Sequence, residues 1–320
     1  MSTDASGTPT RSKYDRLIAA AQKVPTVPTV VVHPCDESSL RGAVEAAEAG
    51  IIRPILVGPA AKIRDTAAQF GLNIAGYDIV DAPHSEAAAA KAVEMIHAGK
   101  GEALMKGSLH TDELMRSVTA KVGGLRTDRR VSHVFIMDVP AYADTVFVTD
   151  AAINIFPDLD GKRDIIQNAV DLYNHAGFGT TPRVAILSAV ETVTSKIPST
   201  IDAAALCKMA DRGQITGAVL DGPLAFDNAI DLDAARIKGI KSEVAGRAQI
   251  LVVPNLESGN MLVKNLAYFA KADGAGIVLG ARVPIVLTSR ADSPRARMAS
   301  AAVAALCANA RRRSAPIAAA

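Results

Sequence analysis

Aromatic residues and cysteine are scarce in this chain of 320 residues, which has no Trp, five Tyr, seven Phe and three Cys. So few aromatic side chains cannot supply the stacking platforms on which single-stranded nucleic acids bind. The three cysteines, Cys35, Cys207 and Cys307, are far apart and form no C-x-x-C motif. They therefore predict neither a disulfide framework nor a structural zinc site. This cysteine usage is typical of a reducing compartment, so we expect a cytoplasmic protein.

Charge of one sign and long apolar runs are also missing. Thirty-five Lys and Arg residues oppose 33 Asp and Glu residues, which gives a formal net charge of +2. That balance does not fit the broad basic surface required for non-specific nucleic-acid binding, so no nucleic-acid partner is expected. A membrane-spanning helix needs about 20 apolar residues, and Lys or Arg interrupts every apolar run well before that length. We therefore expect no membrane association.

Short β-branched runs alternate with longer Ala-rich stretches along most of the chain. The predicted strands extend from Thr29–Val32 to Pro284–Leu287, and the predicted helices from Glu37–Ala49 to Arg295–Ala308. Most of the strand-like runs are continuously apolar, as in parallel sheets that are covered on both faces. Alternation of this kind predicts an α/β fold. At roughly 150 residues per domain, the length favours two domains, and the Gly-rich, basic stretch Ala120–Arg130 is a predicted crossing between them.

Polar and charged residues follow four of the predicted strands, at the positions where open α/β sheets bind their ligands. The first segment runs from Lys106 into a helix that Thr111 is predicted to cap, with Asp112 and Glu113 in its positively polarised first turn. The predicted anion-binding residues of this segment are Lys106, Ser108, His110 and Arg116, and Thr111 is a predicted substrate-binding residue. Alternatively, Asp112 and Arg116 form a surface ion pair, because they are four residues apart on one helix.

The second and third segments follow the runs Gly217–Leu220 and Ile250–Val253. The second brings Asp221 and Asp227 around a Gly-Pro sequence, where an ordinary turn is the alternative interpretation. The third is the predicted start of a helix, with Ser258 as its cap, and a strand leading into a Gly-bearing helix start can bind an anion. Its predicted substrate-binding residues are Asn255, Ser258, Gly259, Asn260 and Lys264.

The fourth segment ends a strand and enters the last predicted helix, with Ser293 as the cap and Pro294 in the first turn. It presents Ser289, Arg290 and Asp292 together. Arg suits a two-pronged grip on phosphate oxygens, and Asp can accept a proton. A local Arg–Asp pair is the alternative.

Several motifs of other enzyme classes are absent from the sequence. There is no G-x-x-x-x-G-K-[ST], no G-x-G-x-x-G after a strand, no H-E-x-x-H and no G-x-S-x-G. These absences argue against a P-loop, a dinucleotide fingerprint and a serine-hydrolase elbow. The six His show no metal-ligand spacing, so we expect no metal site.

Four motifs together resemble the phosphate acetyl/butyryltransferase family over nearly the whole chain, from about Tyr14 to Arg311. They are KGSLHTDELMR, TDAAINIFPD, DGPLAFDNAI and the run from PNLESGNMLVK to IVLTSRADS. The residues of the last two motifs are closer to those of the butyryl and mixed-chain branch than to those of the acetyl branch. The resemblance implies a two-domain α/β architecture like that of isocitrate and isopropylmalate dehydrogenases, with an interdomain cleft and a homodimer. We predict a discontinuous first domain, 1–128 plus 275–320, and a second domain, 129–274.

The resemblance also implies a reaction and its residues. A short acyl group, acetyl first and butyryl second, would pass between coenzyme A and inorganic phosphate through an acyl phosphate, with coenzyme A as substrate and no permanently bound cofactor. Ser289 and Arg290 match the Ser-Arg pair at the reacting centre of the acetyl branch, and Arg116 matches a second phosphate-binding Arg. The catalytic Asp of that branch is replaced by Ala296. Asp292, the nearest carboxylate, is the predicted base by proximity.

Two other functions stay open at this point. A metal- and NAD(P)-dependent decarboxylating dehydrogenase on the related fold would need a convergent acidic cluster, and the acids near the motifs are scattered. The other is a non-catalytic protein that binds coenzyme A or another anion. In that case the replacement of the catalytic Asp by Ala296 would reflect a loss of activity.

Overall fold

A computed structural model describes residues 13–288 and 292–313. Within these ranges, eleven strands form a single sheet. The strands are β1 (Val27–Val32), β2 (Ile52–Gly58), β3 (Asp78–Asp81), β4 (Ala103–Lys106), β5 (Ser132–Asp138), β6 (Val146–Thr149), β7 (Arg183–Leu187), β8 (Val219–Leu224), β9 (Ile250–Val252), β10 (Asp273–Leu279) and β11 (Ile285–Val286). The helices are α1 (Lys13–Ala21), α2 (Glu37–Glu48), α3 (Ala60–Gln69), α4 (Ser85–His97), α5 (Thr111–Val118), α6 (Leu159–His175), α7 (Pro198–Asp211), α8 (Phe226–Ile230), α9 (Leu232–Ile237), α10 (Leu256–Tyr268) and α11 (Pro294–Arg313).

The sheet is mixed, with the strand order β3-β2-β1-β4-β11-β10-β5-β6-β9-β7-β8. β1 to β4 and β11 run parallel to one another. β10 is antiparallel to both β11 and β5, and β5 is antiparallel to β6. β6 to β9 are again parallel to one another. The expectation of a parallel sheet is therefore wrong in the centre, because an apolar run reports that both faces are covered and not the direction of its neighbour.

These directions give the sheet two functionally different ends. The carboxyl termini of β1 to β5 and β11 lie at one end, which we call the β4 end. The carboxyl termini of β6 to β10 lie at the other, which we call the β9 end. Loops that follow β4 and β11 thus emerge opposite to loops that follow β8 and β9.

Helices cover both faces of the sheet, and side chains of each strand alternate between the two faces. On one face, a single apolar cluster runs through both halves and includes Val31 of β1, Ile136 of β5 and Ile186 of β7. The other face carries two separate clusters, one around α4 and α5 and one around α10. The division between these two clusters falls near β10 and β5, since Val278 belongs to the first and Met137 to the second.

The last helix, α11, is the central helix of the continuous face. Most of its residues are buried, and many of them are Ala, whose small side chains let the helix approach the sheet closely. The first helix, α1, packs beside it and was not predicted from the sequence. Lys13 on α1 donates to the carbonyl oxygens of Val139 and Tyr142 at 3.3 and 2.6 Å, and Tyr14 donates to the Ile136 carbonyl at 2.7 Å. These bonds anchor α1 to β5 and to the turn between β5 and β6.

The predicted strands and longer helices all overlap observed elements, whereas α1, α8 and α9 were missed. The predicted boundary between residues 274 and 275 falls inside β10, and the division into two domains stays a prediction. In the part of the chain that the structure describes, no helix is both long enough and apolar enough to cross a bilayer.

Candidate functional site

The loop after β4 starts against the end of β1. The two strands pair in parallel, with Val32 opposite Lys106. The Gly107 amide donates to the Val32 carbonyl at 2.8 Å. A Cβ atom on Gly107 would lie 2.3 Å from that oxygen, so a side chain at this position would clash with the backbone. Close backbone approach is therefore the reason for glycine here, and it holds buried Lys106 at the β4 end.

Ser108 ties this loop to the loop after β1. Its hydroxyl donates to the His33 carbonyl at 2.8 Å and accepts from the Cys35 amide at 3.1 Å. The Ser108 amide also donates to the His33 carbonyl, at 2.9 Å. The hydroxyl thus positions both loops, and its predicted contact with substrate stays a prediction.

His33, which sequence reasoning missed, has a strained backbone with a φ of +54°. Non-Gly residues in that region are rare and cluster at functional sites. Burial, with a smaller effect of Lys62, lowers the pKa of His33, so the imidazole is neutral at pH 7. Its Nδ1 lies 3.1 Å from Ser108 Oγ. Because Ser108 donates its own proton to a carbonyl, Nδ1 is the donor to Ser108 and Nε2 is unprotonated.

The helix after this loop, α5, begins at Thr111, and His110 occupies the N-cap position without a side-chain capping bond. The prediction that Thr111 caps the helix is therefore wrong, because its backbone is already helical. Asp112 and Glu113 lie in the first turn, as predicted. One carboxylate oxygen of Glu113, Oε2, is buried and has no hydrogen-bond partner among the described residues.

Arg116 is on the outer side of α5, with 74% of its side chain exposed. Its Nη1 lies 3.5 Å from Glu86 Oε1 on α4, so its ion-pair partner is Glu86 rather than the Asp112 considered in the sequence. An exposed pair of this kind contributes little to stability. The role of Arg116 toward phosphate stays a prediction.

A cleft opens at the β4 end between the first turn of α2, the ends of β4 and β11, and the first turns of α11. We call it the α2 cleft, and its lining includes Asp36, Ser38, Lys106, Gly107, Thr288 and Arg297. Lys106 and Arg297 are 9% and 7% exposed, so this cleft gathers two buried cations. Sequence reasoning found Lys106 but missed Asp36 and Arg297. Arg297 was missed because it is one of several Arg in an Ala-rich helix.

The segment after β11 enters the same region. Ser293 Oγ accepts from the Ala296 amide at 3.1 Å, and α11 begins at Pro294, so the predicted cap and first turn are confirmed. Ser289 and Arg290 lie outside the described residues. They are bracketed by Thr288, in the α2 cleft, and by half-buried Asp292. The structure therefore brings the first and fourth segments together at the β4 end.

The third segment leaves the sheet at the β9 end, after β9. In the second segment, Asp221, Gly222 and Pro223 lie inside β8, so both the predicted strand end at Leu220 and the alternative of an ordinary turn are wrong, and the chain leaves the sheet at the same end only after Leu224. Asp221 Oδ1 accepts from the next amide, Gly222, at 2.8 Å. Asp227 lies in α8 with 54% of its side chain exposed and pairs with Lys238 at 3.3 Å. Five to seven strand positions separate β9 and β8 from β4. The four predicted segments therefore do not share one end of the sheet.

The N-terminus of α10 is built from local hydrogen bonds. Asn255 is the N-cap, and its Oδ1 accepts from the Ser258 amide at 3.0 Å and from the Ser258 hydroxyl at 2.8 Å. The prediction that Ser258 is the cap is therefore wrong, because Asn three residues earlier reaches the same amide.

Close packing accounts for the glycine of α10. A Cβ on Gly259 would lie 2.7 Å from Val253 Cγ2 and 2.8 Å from Ala151 Cβ. Asn260 donates to the Ala151 carbonyl at 3.4 Å, while Lys264 on the same helix is exposed. α10 thus packs tightly on the loop after β6, and the predicted contacts of its residues with substrate stay predictions.

A family model described as Phosphate acetyl/butaryl transferase matches residues 84–305, which include the β4 loop, α5, the α10 segment and most of α11. The chain belongs to the phosphate acetyl/butyryl transferase family.

Relatives within this family match almost end to end. A protein of Rhizobium meliloti named phosphate acetyltransferase is 71% identical over 308 residues, covering 96% of this chain and 97% of that protein. A phosphate butyryltransferase of Clostridium beijerinckii is 42% identical, covering 92% and 97% respectively. The higher of these identities is to an acetyltransferase, although the wording of two motifs is closer to the butyryl branch.

Solved structures confirm the architecture. A branched-chain phosphotransacylase from Enterococcus faecalis V583 superposes with a TM-score of 0.76 at 28% identity, covering 88% of this chain and 99% of that chain. A 4-hydroxythreonine-4-phosphate dehydrogenase from Klebsiella pneumoniae superposes with a TM-score of 0.54 at 13% identity, covering 88% and 100%. The dehydrogenase-like fold predicted from the sequence is thus confirmed.

The side chains of this family member offer no ready cysteine nucleophile. Burial raises the pKa of the Cys35 thiol to about 11 and that of the Cys207 thiol to about 12. Burial also raises the pKa of Cys307. All three thiols are therefore protonated near pH 7, and a thiolate is the form that attacks a carbonyl.

Proposed function

We propose that this protein transfers a short acyl group, acetyl in the first place, between coenzyme A and inorganic phosphate. The observation that carries the proposal is the 71% identity to a phosphate acetyltransferase over 96% of the chain. The α2 cleft supports it, since two buried cations beside the Thr288 strand end suit an oxyanion substrate. The dehydrogenase and the non-catalytic binding protein are not favoured, because the relatives with high identity are named as acyltransferases.

The reaction needs a thiolate and a stabilised leaving group. A coenzyme A thiol has a pKa of about 8.5, so a base must remove its proton at pH 7. Asp292 is the proposed base. The thiolate then attacks the acyl carbon of the acyl phosphate, the carbon–sulfur bond forms, and the carbon–oxygen bond to phosphate breaks. The electron pair of the broken bond leaves on phosphate, and no acyl-enzyme intermediate forms.

The proposed roles of the other residues follow from charge. Arg290 and Arg116 would neutralise the departing phosphate, and Ser289 would donate a hydrogen bond to the developing oxyanion. The assignment of Ser289, Arg290 and Arg116 depends on the family resemblance. Lys106, Ser108, His110 and Thr111 are the proposed phosphate-side contacts at the β4 end. Proposed contacts for the rest of coenzyme A are Asn255, Ser258, Gly259, Asn260, Lys264, Asp221 and Asp227.

We further propose that the enzyme is a cytoplasmic homodimer without a permanently bound cofactor, divided into domains 1–128 plus 275–320 and 129–274. Exposed apolar residues on and next to α10 support a dimer face. Met261, Tyr268 and Phe269 are 66%, 69% and 85% exposed. Light scattering of wild type and a Phe269→Glu variant tests this face, and a wild-type monomer would contradict it.

The activity is tested by mixing purified protein with coenzyme A and either acetyl phosphate or butyryl phosphate, and following loss of the free thiol. The expected result is rapid thiol loss with one or both donors, unchanged by a metal chelator. If the chelator abolished the activity and a divalent ion restored it, the result would contradict the mechanism. A nicotinamide absorbance assay with hydroxy-acid substrates runs beside it, and activity there without thiol loss would favour the dehydrogenase.

A further inference from the structure

One face of the sheet is divided between two apolar clusters, and Phe135 lies at the division. Phe135 is on β5, near the middle of the sheet, where a large apolar side chain is normally buried. Its ring packs against the cluster around α10 but is only half-buried. Its neighbours Val134 and Ile136, which face the other side of the sheet, are fully buried. The Phe135 ring therefore borders an open part of the divided face.

The strand register places a glycine and a second half-buried apolar residue beside this ring. Phe135 is opposite Gly276 of β10. On its other side β10 pairs with β11, and Ile277 is opposite Val286. Continuing that antiparallel register by one residue brings Leu287 opposite Gly276, and a Cβ on Gly276 would lie 3.3 Å from the Leu287 carbonyl oxygen. Directly opposed residues share one face of a sheet.

Leu287 and Phe135 thus flank Gly276 on the same face, and each belongs to a different cluster. Leu287 is half-buried and packs against the cluster around α4 and α5, whereas Phe135 packs against the one around α10. We call the space between these two side chains the β10 slot.

The floor of the β10 slot is low because β10 presents glycine twice to this face. Gly274 and Gly276 are two residues apart, so both lack a side chain on the same side of the strand. A Cβ on Gly276 would lie 2.8 Å from His133 Nε2, and a Cβ on Gly274 would lie 3.3 Å from Met137 Sδ. His133 and Met137 therefore fill the volume that side chains of β10 would take. Both are 1% exposed, so Phe135 is the accessible side chain among these three residues of β5.

The β10 slot lies next to the proposed reacting centre. Leu287 is followed by Thr288, which lines the α2 cleft, and then by Ser289. β10 is antiparallel to β11, so Gly274 and Gly276 are in the half of β10 nearest the β4 end. Ligand sites combine apolar walls with a few polar groups that fix orientation. An apolar slot beside a cationic cleft suits a substrate that joins an apolar chain to a phosphate.

We propose that the β10 slot binds the acyl chain of the substrate, and that Phe135 limits the length of the chain that the enzyme accepts. This inference rests on the proposed function, because it assigns a place to the group that is transferred. An acetyl group brings one methyl into the slot, and a butyryl group brings two further methylenes. One methylene that an apolar pocket accepts or excludes changes specificity by about 10- to 200-fold.

The test changes the size of the Phe135 side chain in both directions. Phe135→Trp fills the slot and Phe135→Ala opens it. The measured quantity is the ratio of kcat/KM with butyryl phosphate to kcat/KM with acetyl phosphate. We expect this ratio to fall at least fivefold in Phe135→Trp and to rise at least fivefold in Phe135→Ala. Phe178→Ala is the matched control, because Phe178 is a half-buried ring that packs against the cluster on the opposite face, and its ratio should equal that of wild type.

A third variant, Gly274→Ala, keeps the proposal falsifiable if a Phe135 variant folds poorly, as judged by its melting temperature. The added methyl would press on Met137 and raise the floor of the slot, so the ratio should fall as in Phe135→Trp. A fall in both filling variants and a rise in Phe135→Ala support the slot. Any other pattern among the folded variants, including ratios equal to that of wild type or a rise in a filling variant, would overturn it.

Binding without turnover separates this inference from the proposed function. In the absence of phosphate, calorimetry gives the Kd values of acetyl-coenzyme A, butyryl-coenzyme A and free coenzyme A. The relative affinity for the butyryl form should shift in the same directions as the kinetic ratio, while the Kd of free coenzyme A stays within twofold. If acyl phosphates fail as substrates but these shifts occur, the proposed function is wrong and the slot stands. An active enzyme without a shift in either ratio would keep the proposed function and overturn the slot.

Discussion

The two ends of the sheet carry similar polar segments but use them differently. At the β4 end, Lys106 and Arg297 are buried in a cleft, and the Ser108 hydroxyl joins two loops. At the β9 end, the Asn255 and Ser258 side chains satisfy the first turn of α10. Both ends have a strand, a glycine and a helix start, which is the pattern of an anion site. The sign of the buried charge distinguishes the two ends. Lys106 and Arg297 are buried at the β4 end, whereas the buried residues Asp150 and Lys162, which follow β6 at the β9 end, have opposite charges, and Lys162 is paired with Asp202. Two buried cations favour the β4 end as the position of the reacting phosphate.

This difference shows why a polar helix start is weak evidence of function. Ser, Asn and Asp at such positions satisfy backbone N–H groups of the first turn, which need partners in every helix. A buried Lys or Arg has no comparable local reason, because its charge is costly to desolvate. The variants described below test whether charge at the β4 end carries more of the activity than polar residues at the β9 end.

The largest expected effect comes from Asp292→Asn. If Asp292 takes the thiol proton, kcat should fall by about 10²- to 10⁴-fold while coenzyme A affinity, measured by calorimetry, stays close to wild type. Higher pH should rescue part of the loss, because the thiolate fraction rises about tenfold per pH unit below the thiol pKa. At the β9 end, Asp227→Asn should cost less than about tenfold, since its carboxylate is exposed and paired with Lys238. Wild-type kcat in Asp292→Asn would remove this carboxylate from the mechanism.

Arg116→Ala is expected to lower kcat/KM by about 10- to 200-fold, the equivalent of one charge-assisted contact of about 1.5–3 kcal/mol. Glu86→Gln is the matched control, because it removes the partner of Arg116 in the structure and leaves the arginine in place. Equal kinetics for Arg116→Ala and wild type would instead mean that Arg116 is a surface cation paired with Glu86.

A smaller effect, on stability, is expected at Gly259. The added Cβ of Gly259→Ala would meet Val253 and Ala151 below 3 Å, so urea unfolding should show a loss of about 1–3 kcal/mol. The activity per folded molecule should fall less than about threefold. A large loss of kcat/KM with unchanged stability would mean that this glycine makes room for substrate, and it would return the β9 end to the reacting centre.

The smallest effect near neutral pH concerns His133, on β5 between the two halves of the sheet. Burial lowers the pKa of His133 to about 3, whereas the pKa of His in an unfolded chain is about 6.5. Between these values the unfolded chain binds the extra proton. The contribution of this residue to the free energy of unfolding therefore falls as the pH falls, by at most about 1.4 kcal/mol per pH unit.

His133→Leu should remove this dependence, so its stability relative to wild type should improve as the pH falls from about 6.5. Urea unfolding of both proteins over that range measures the difference. Parallel curves would mean that His133 has the same pKa in the folded and the unfolded protein.

Sequence reasoning succeeded where local chemistry decides the structure. β-Branched runs such as Arg183–Leu187 coincide with strands, and Ser293 followed by Pro294 marks the start of α11. Strand direction could not be derived, because the antiparallel pairing of β10 with β5 depends on contacts between Asp273–Leu279 and Ser132–Asp138, which are far apart in the chain. The short helices α8 and α9 have too few turns to show a period.

The residues of the candidate site could also be predicted only in part. Lys106 was found because it interrupts an apolar strand end, and the four motifs identified the family. Asp36, His33 and Arg297 were not found, because their roles depend on the parallel neighbours β1, β4 and β11 and on the packing of α11 against α2. Burial of Arg297 depends on tertiary packing and on Gly42, a residue far away in sequence.

The central claim, that the reacting phosphate lies at the β4 end, is tested most directly by a pair of equivalent substitutions at the two ends. Lys106→Met and Lys264→Met each replace one Lys by an apolar side chain of similar length, and the KM for phosphate and kcat/KM are measured for both, with exposed Lys208→Met as the control. The account predicts that Lys106→Met raises the KM for phosphate by at least about tenfold more than Lys264→Met does. A larger effect for Lys264→Met, with Lys106→Met close to wild type, would contradict the account.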